Sequence, residues 1–142
     1  MHLSKKISMP KHEQTIEISI SDKEKTLAIG YQAIKNLGWT VLFAGEEKLL
    51  GSTPKKWSSF GQQILIETNG SSLTVSSEMV NNESFDIGGK NKKNVAEFLT
   101  AFAAAQNTTD AATIESNINA IEGLRELTIK TAAEEAANAA EV

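Results

Sequence analysis

Two lysine clusters hold the most suggestive chemistry in this chain. Lys55 and Lys56 precede Trp57, and Lys90, Lys92 and Lys93 follow Gly88-Gly89 where a helical pattern begins. Brought together, five ammonium groups beside an indole suit an anionic headgroup or a phosphorylated ligand, each lysine near an acidic surface contributing about 1 kcal/mol. Glycines ahead of a helix start also favour anions, because the first backbone amides have no partner within the helix. The spacing is not that of a P-loop, which needs Gly-x-x-x-x-Gly-Lys-Ser/Thr. Lysines in a first turn oppose the helix dipole, so nothing local explains them there. The plain alternative is that Trp57 packs at a sheet margin, the glycines make a turn, and the lysines are solvated.

Other reactive groups do not form a constellation. His2 and His12 are the only imidazoles, ten residues apart in a polar stretch that supplies no rigid frame for a metal or a general base. The acidic pairs Glu46-Glu47 and Glu134-Glu135 fall in a turn and in an alanine-rich tail, where no pocket encloses them and both read as solvated. Ser58-Ser59, Ser71-Ser72 and Ser76-Ser77 have no histidine in place to activate them. Cysteine is absent, which excludes disulfides, thiolate nucleophiles and thiolate metal sites. The residues therefore point to no catalytic site, no metal and no cofactor.

Totals exclude further classes. A net charge of −4 argues against a nucleic-acid partner, which requires a basic footprint. No apolar run approaches the roughly 20 residues that span a bilayer. Met1-His2-Leu3-Ser4-Lys5-Lys6 carries positive charge without an apolar stretch behind it, unlike a secretory signal. These features are those of a soluble, cytoplasmic chain. Its charge is uneven: residues 1–106 hold 12 lysines and 11 acidic residues, whereas 107–142 hold Arg125 and Lys130 against seven acids. Composition turns to Ala, Glu and Asn at the same place, which sets a boundary near Asn107.

The elements that must carry these groups are legible. Residues 1–14 are polar and without period, a flexible arm. Thr15 to Ile20 alternates strictly and predicts a strand. Ser21-Asp22-Lys23-Glu24 fits a capping box for a helix from Asp22 to Leu37, with Leu27, Tyr31 and Ile34 on one face and Gly38 ending it. Trp39 to Ala44 and Lys48 to Gly51 predict two short strands, followed by a loop at Pro54. Ile64 and Ile66, then Leu73 and Val75, flank Asn69-Gly70, a hairpin with that pair at the centre of a type I′ turn. Phe85 and Ile87 read as anchors in the polar stretch that follows. Val95, Phe98, Leu99 and Phe102 mark a second helix starting near Asn91 or Asn94 and ending at Gln106. Trp39, Phe43, Phe60, Phe98 and Phe102 read as core. Asp110 offers a new cap, and Ile114, Ile118 and Ile121 continue at helical spacing. Residues 132–142 have helix propensity but little to bury.

The order β-α-β-β-β-β-α predicts an α+β domain over residues 15–106. It has an antiparallel sheet of about five strands with two helices on one face. Residues 107–142 form an acidic, alanine-rich helical or partly disordered tail or linker.

Three stretches resemble a known family: Lys35-Asn36-Leu37-Gly38-Trp39, Lys56 to Ile64, and Asp86 to Val95. Together they are similar to the soluble domain of Bacteroidetes-type membrane proteins labelled rhomboid-family intramembrane serine proteases. The resemblance covers about residues 20–106. It implies a bacterial cytoplasmic domain at the inner face of the membrane, with an attached or neighbouring membrane module as partner. The family's Gly-x-Ser-Gly motif and its membrane spans are absent from this sequence, so no protease residue carries over, and any proteolysis belongs to a module outside it. Two readings follow: a non-enzymatic regulatory or interaction domain, and a peripheral anion-binding module with weak membrane-surface contact through Lys55, Lys56, Trp57, Lys90, Lys92 and Lys93.

Overall fold

The computed structural model describes residues 11–54, 61–79 and 89–140. His2, Lys55, Lys56, Trp57, Phe60, Phe85 and Ile87 lie outside them. Five strands form one antiparallel sheet: β1 (Lys11–Glu17), β2 (Thr40–Ala44), β3 (Lys48–Ser52), β4 (Gln62–Thr68) and β5 (Ser72–Met79). The spatial order is β1-β5-β4-β3-β2. Three helices, α1 (Lys23–Asn36), α2 (Lys90–Thr108) and α3 (Ala111–Ala140), complete the α+β architecture.

Alternation along the strands produces the two faces. Ile64 and Ile66 of β4, Leu73 and Val75 of β5, and Leu49 of β3 are fully buried beneath the helices. Leu27, Ile34, Phe98 and Phe102 meet them from α1 and α2. Across the sheet, α2 lies over β1 and β5, α1 over β4 and β3, and α3 beside α1 against β2. The helical stripes read from the sequence are therefore the buried ones. Among the described residues, Phe43 is the exception to the expected core aromatics. A bulge between Val41 and Phe43 shifts the register of β2, and Phe43 emerges 53% exposed on the opposite face.

Local structure departs from expectation at one helix cap, one hairpin turn and one strand boundary. Asp22, not Ser21, caps α1, with its Oδ1 accepting the Lys25 amide at 3.2 Å. The hairpin turn sits one residue later than an Asn-Gly centre. The Asn69 amide donates to the Ser72 carbonyl, so Gly70 (φ 99°) and Ser71 hold the middle. Asn69 instead spends its side-chain oxygen on the Ser71 and Ser72 amides, both at 2.9 Å. The first strand spans Lys11–Glu17, not Thr15–Ile20, so residues 11–14 of the expected arm are paired. The long strand β5 offers partners as far as Glu78, and ladder bonds outweigh the polar side chains on an edge. Asp110 does cap α3, as its sequence position suggests, accepting the Thr113 amide at 2.7 Å. That bond holds its carboxyl below the usual carboxylate range. Its stabilising effect is therefore full above the ordinary value of 3.8 and is lost as pH falls through the lowered one.

The composition step at Asn107 marks the α2–α3 junction, yet α3 does not simply leave the domain. Ile121 is buried in the common core, with Ile114 and Leu124 packed against it. Asn117, on the same apolar stripe, is 2% exposed and donates to the Ala28 carbonyl at 3.0 Å and to Gln32 Oε1 at 3.1 Å. About two turns further, Arg125 knots three elements together. Its Nε donates to the Gly45 carbonyl at 2.7 Å and its Nη2 to the Glu46 carbonyl at 3.1 Å. It also pairs with Glu24 at 2.8 Å and Glu122 at 2.7 Å. Burial opposes the charge, but the bonds to Glu24 and Glu122 outweigh it and push the guanidinium pKa above its ordinary value. Beyond Arg125 the helix is largely exposed through residue 139.

Arg125→Ala removes charge-assisted bonds to two carbonyls and two carboxylates. We expect a loss of about 2 kcal/mol, read as a lower urea midpoint at unchanged slope. Paired with Glu24→Ala, the double variant should lose less than the sum of the singles.

Candidate functional site

The basic site read from the sequence maps to the start of α2. Gly89 caps that helix in a left-handed conformation (φ 65°) without any side-chain cap, and the first turn carries no acid. The four-residue helical repeat places Lys90, Lys93, Asn94 and Glu97 on one face. They line a cleft of about 210 Å³ with Trp39, Thr53, Pro54 and Gln62. Lys92 is exposed and does not line it. The structure thus brings Lys90 and Lys93 together beside an indole, that of Trp39. Glu97 shares the same wall, so the cleft is not uniformly basic.

Beneath the cleft runs a chain of buried polar side chains that sequence reading missed. Thr53 Oγ1 donates to Gln62 Oε1 at 3.2 Å and accepts the Gln62 amide at 2.7 Å. Asn94 Nδ2 donates to Gln62 Oε1 at 2.8 Å and to Ser77 Oγ at 3.2 Å. Ser77 in turn donates to Asn91 Oδ1 at 2.8 Å. Ser77 and Asn91 are completely buried. The chain runs from β4 through Asn94 of α2 to β5 and back to Asn91 of α2, and pins the helix start to one end of the sheet. Gly61 makes the first link possible: φ is +87°, and a Cβ there would stand 2.8 Å from the Thr53 carbonyl. One sequence signal existed, since Asn91 and Asn94 share the apolar face of α2 with Val95 and Phe98.

This arrangement can attract an anion through two ammonium groups and a helix start, but it holds no nucleophile and base in contact. Among the described residues no group of three or more His, Cys, Asp or Glu side chains could hold a metal ion. His12 lies in β1, opposite Ser77, and not in a polar arm. Glu46 and Glu47 sit in the β2–β3 turn, where Glu47 pairs with Lys23 at 3.0 Å. No described helix is long and apolar enough to cross a membrane.

Asn94→Asp should destabilise more than Asn94→Ala at pH 7, because it sets a carboxylate against the Gln62 acceptor in a buried network. For Asn94→Ala the expected cost is about 1–3 kcal/mol. Denaturation at successively lower pH should close the gap as the new carboxyl takes up a proton.

No protein-family model matches this chain, and no curated protein matches it. Function must be read from the side chains themselves.

Proposed function

We propose that this chain is a non-enzymatic interaction domain on the cytoplasmic side of a larger membrane protein of rhomboid-like type. The observation that carries this reading is the division of α3. Its first half is fastened to α1 and the β2–β3 turn by Asn117 and Arg125, while residues 126–139 are mostly exposed. A 30-residue helix is about 45 Å long. A helix gripped at one half turns with the domain, so a partner held by the other half is positioned by it. The family-like stretches between residues 20 and 106 support the same reading.

The test is fractionation of the native gene product with an antibody raised against residues 15–106. A product larger than 15.3 kDa in the membrane pellet is expected. A soluble product of that mass would end the rhomboid-like placement.

A second reading, an anion-binding module, draws on Lys90 and Lys93 in the cleft at the α2 start. It predicts flotation with acidic liposomes at low salt that is lost at high salt. Lys90→Glu with Lys93→Glu should abolish it. Failure to float at either salt concentration removes this reading.

A further inference from the structure

The sheet face away from the helices is divided into an apolar end and an acidic remainder. Strand alternation sends Phe43, Leu50 and Leu65 to this face. The register sets Phe43 beside Leu50 and Leu50 beside Leu65. Leu42, at the bulge, is 38% exposed. Here α3 passes the end of the sheet, and Thr128 joins Phe43, Ala44, Leu50 and Leu65 around an apolar cavity of about 290 Å³. Large apolar side chains gathered at one place on a surface mark an interaction site.

Charge decides what fits it. Lys48 forms a common wall between this cavity and a polar cleft of about 350 Å³ lined by Glu46, Glu47 and Glu67. Glu67 follows Leu65 on the same face. Glu13, Glu17 and Glu78 share that face by the same alternation, against Lys11 and against Lys48, which stands opposite Glu67. A second copy of this chain would bring carboxylates against carboxylates, and an acidic lipid surface would do the same.

We propose that this face docks a cationic amphipathic segment. An apolar side chain of the segment enters the cavity beside Phe43, Leu50 and Leu65, and its lysines or arginines meet Glu67 and Glu46. The inference rests on the reading of this chain as an interaction domain and names the partner's chemistry. Segments beside membrane helices on the cytoplasmic side are rich in Lys and Arg.

The experiment is a titration of the isotopically labelled full chain with a synthetic helical peptide of leucine and lysine at amphipathic spacing. The same peptide with glutamate for lysine serves as the counterpart. The expected result is salt-sensitive binding of the Leu/Lys peptide alone, with amide shifts centred on residues 42–50 and 65–67. Phe43→Ser and Glu67→Lys, both surface changes, should each weaken it about tenfold. Equal binding of the glutamate peptide, shifts centred elsewhere, or indifference to both variants would overturn the proposal. So would a dimer that Phe43→Ser dissociates, which makes the face a self-interface, or flotation with acidic vesicles that Phe43→Ser abolishes. Peptide failure with a membrane-pelleted native product would move the interaction to another face. Peptide binding by a soluble native product would keep this partner chemistry and remove the membrane placement.

Discussion

Five strands spaced about 4.8 Å apart make a sheet roughly 20 Å between its outer axes. Two helices about 8–10 Å apart, each about 10–12 Å across, only just span that width, so the sheet edges depend on what lies beside the pair. At the β2 edge α3 takes that place and shares the core. α2 lies over β1 and β5, α1 over β4, β3 and part of β2, and α3 closes the β2 edge. The junction at residues 109–110 brings the chain back beside α1, and Ile114, Ile121 and Leu124 complete the apolar layer.

Apolar layers alone do not specify how helices sit along a sheet, because sliding by a turn trades one set of contacts for another. The buried polar groups add the missing constraint. Thr53, Gln62, Asn94, Ser77 and Asn91 form one hydrogen-bonded chain at the β4 start, and moving α2 would leave several of them unpaired in the interior. Asn117 and Arg125 do the same for α3 at the other side of the helical layer. These groups cost desolvation, and in return the arrangement is unique.

The two sheet faces then divide the labour. One is closed by helices and carries the core. The other stays open and is asymmetric, with an apolar end near β2 and carboxylates elsewhere. The lysines of α2 lie at the opposite end of the sheet, beyond the start of β4. Lysines and carboxylates are not fully segregated, since Glu97 shares the lysine cleft and Glu78 stands beside Gln63 at the same end of the sheet.

The sequence by itself determined the elements: alternation at residues 64–66 and 73–75, the three- and four-residue spacing of Val95 to Phe102, and a cap at Asp110. Those are local consequences of side-chain period and backbone hydrogen bonding, so they were legible. It also located the lysines at the α2 start. Tertiary structure decided what local pattern cannot encode. Asn91, Asn94 and Asn117 look like flaws in apolar stripes until their partners, as far as 89 residues away, are in place. The sole arginine, Arg125, reads as a solvated helix residue until the β2–β3 turn comes within reach of it. Phe43 reads as core until a bulge reverses its face. In each case the deciding contact is long-range, and a hydrogen bond or a register shift between distant segments leaves no period in the chain.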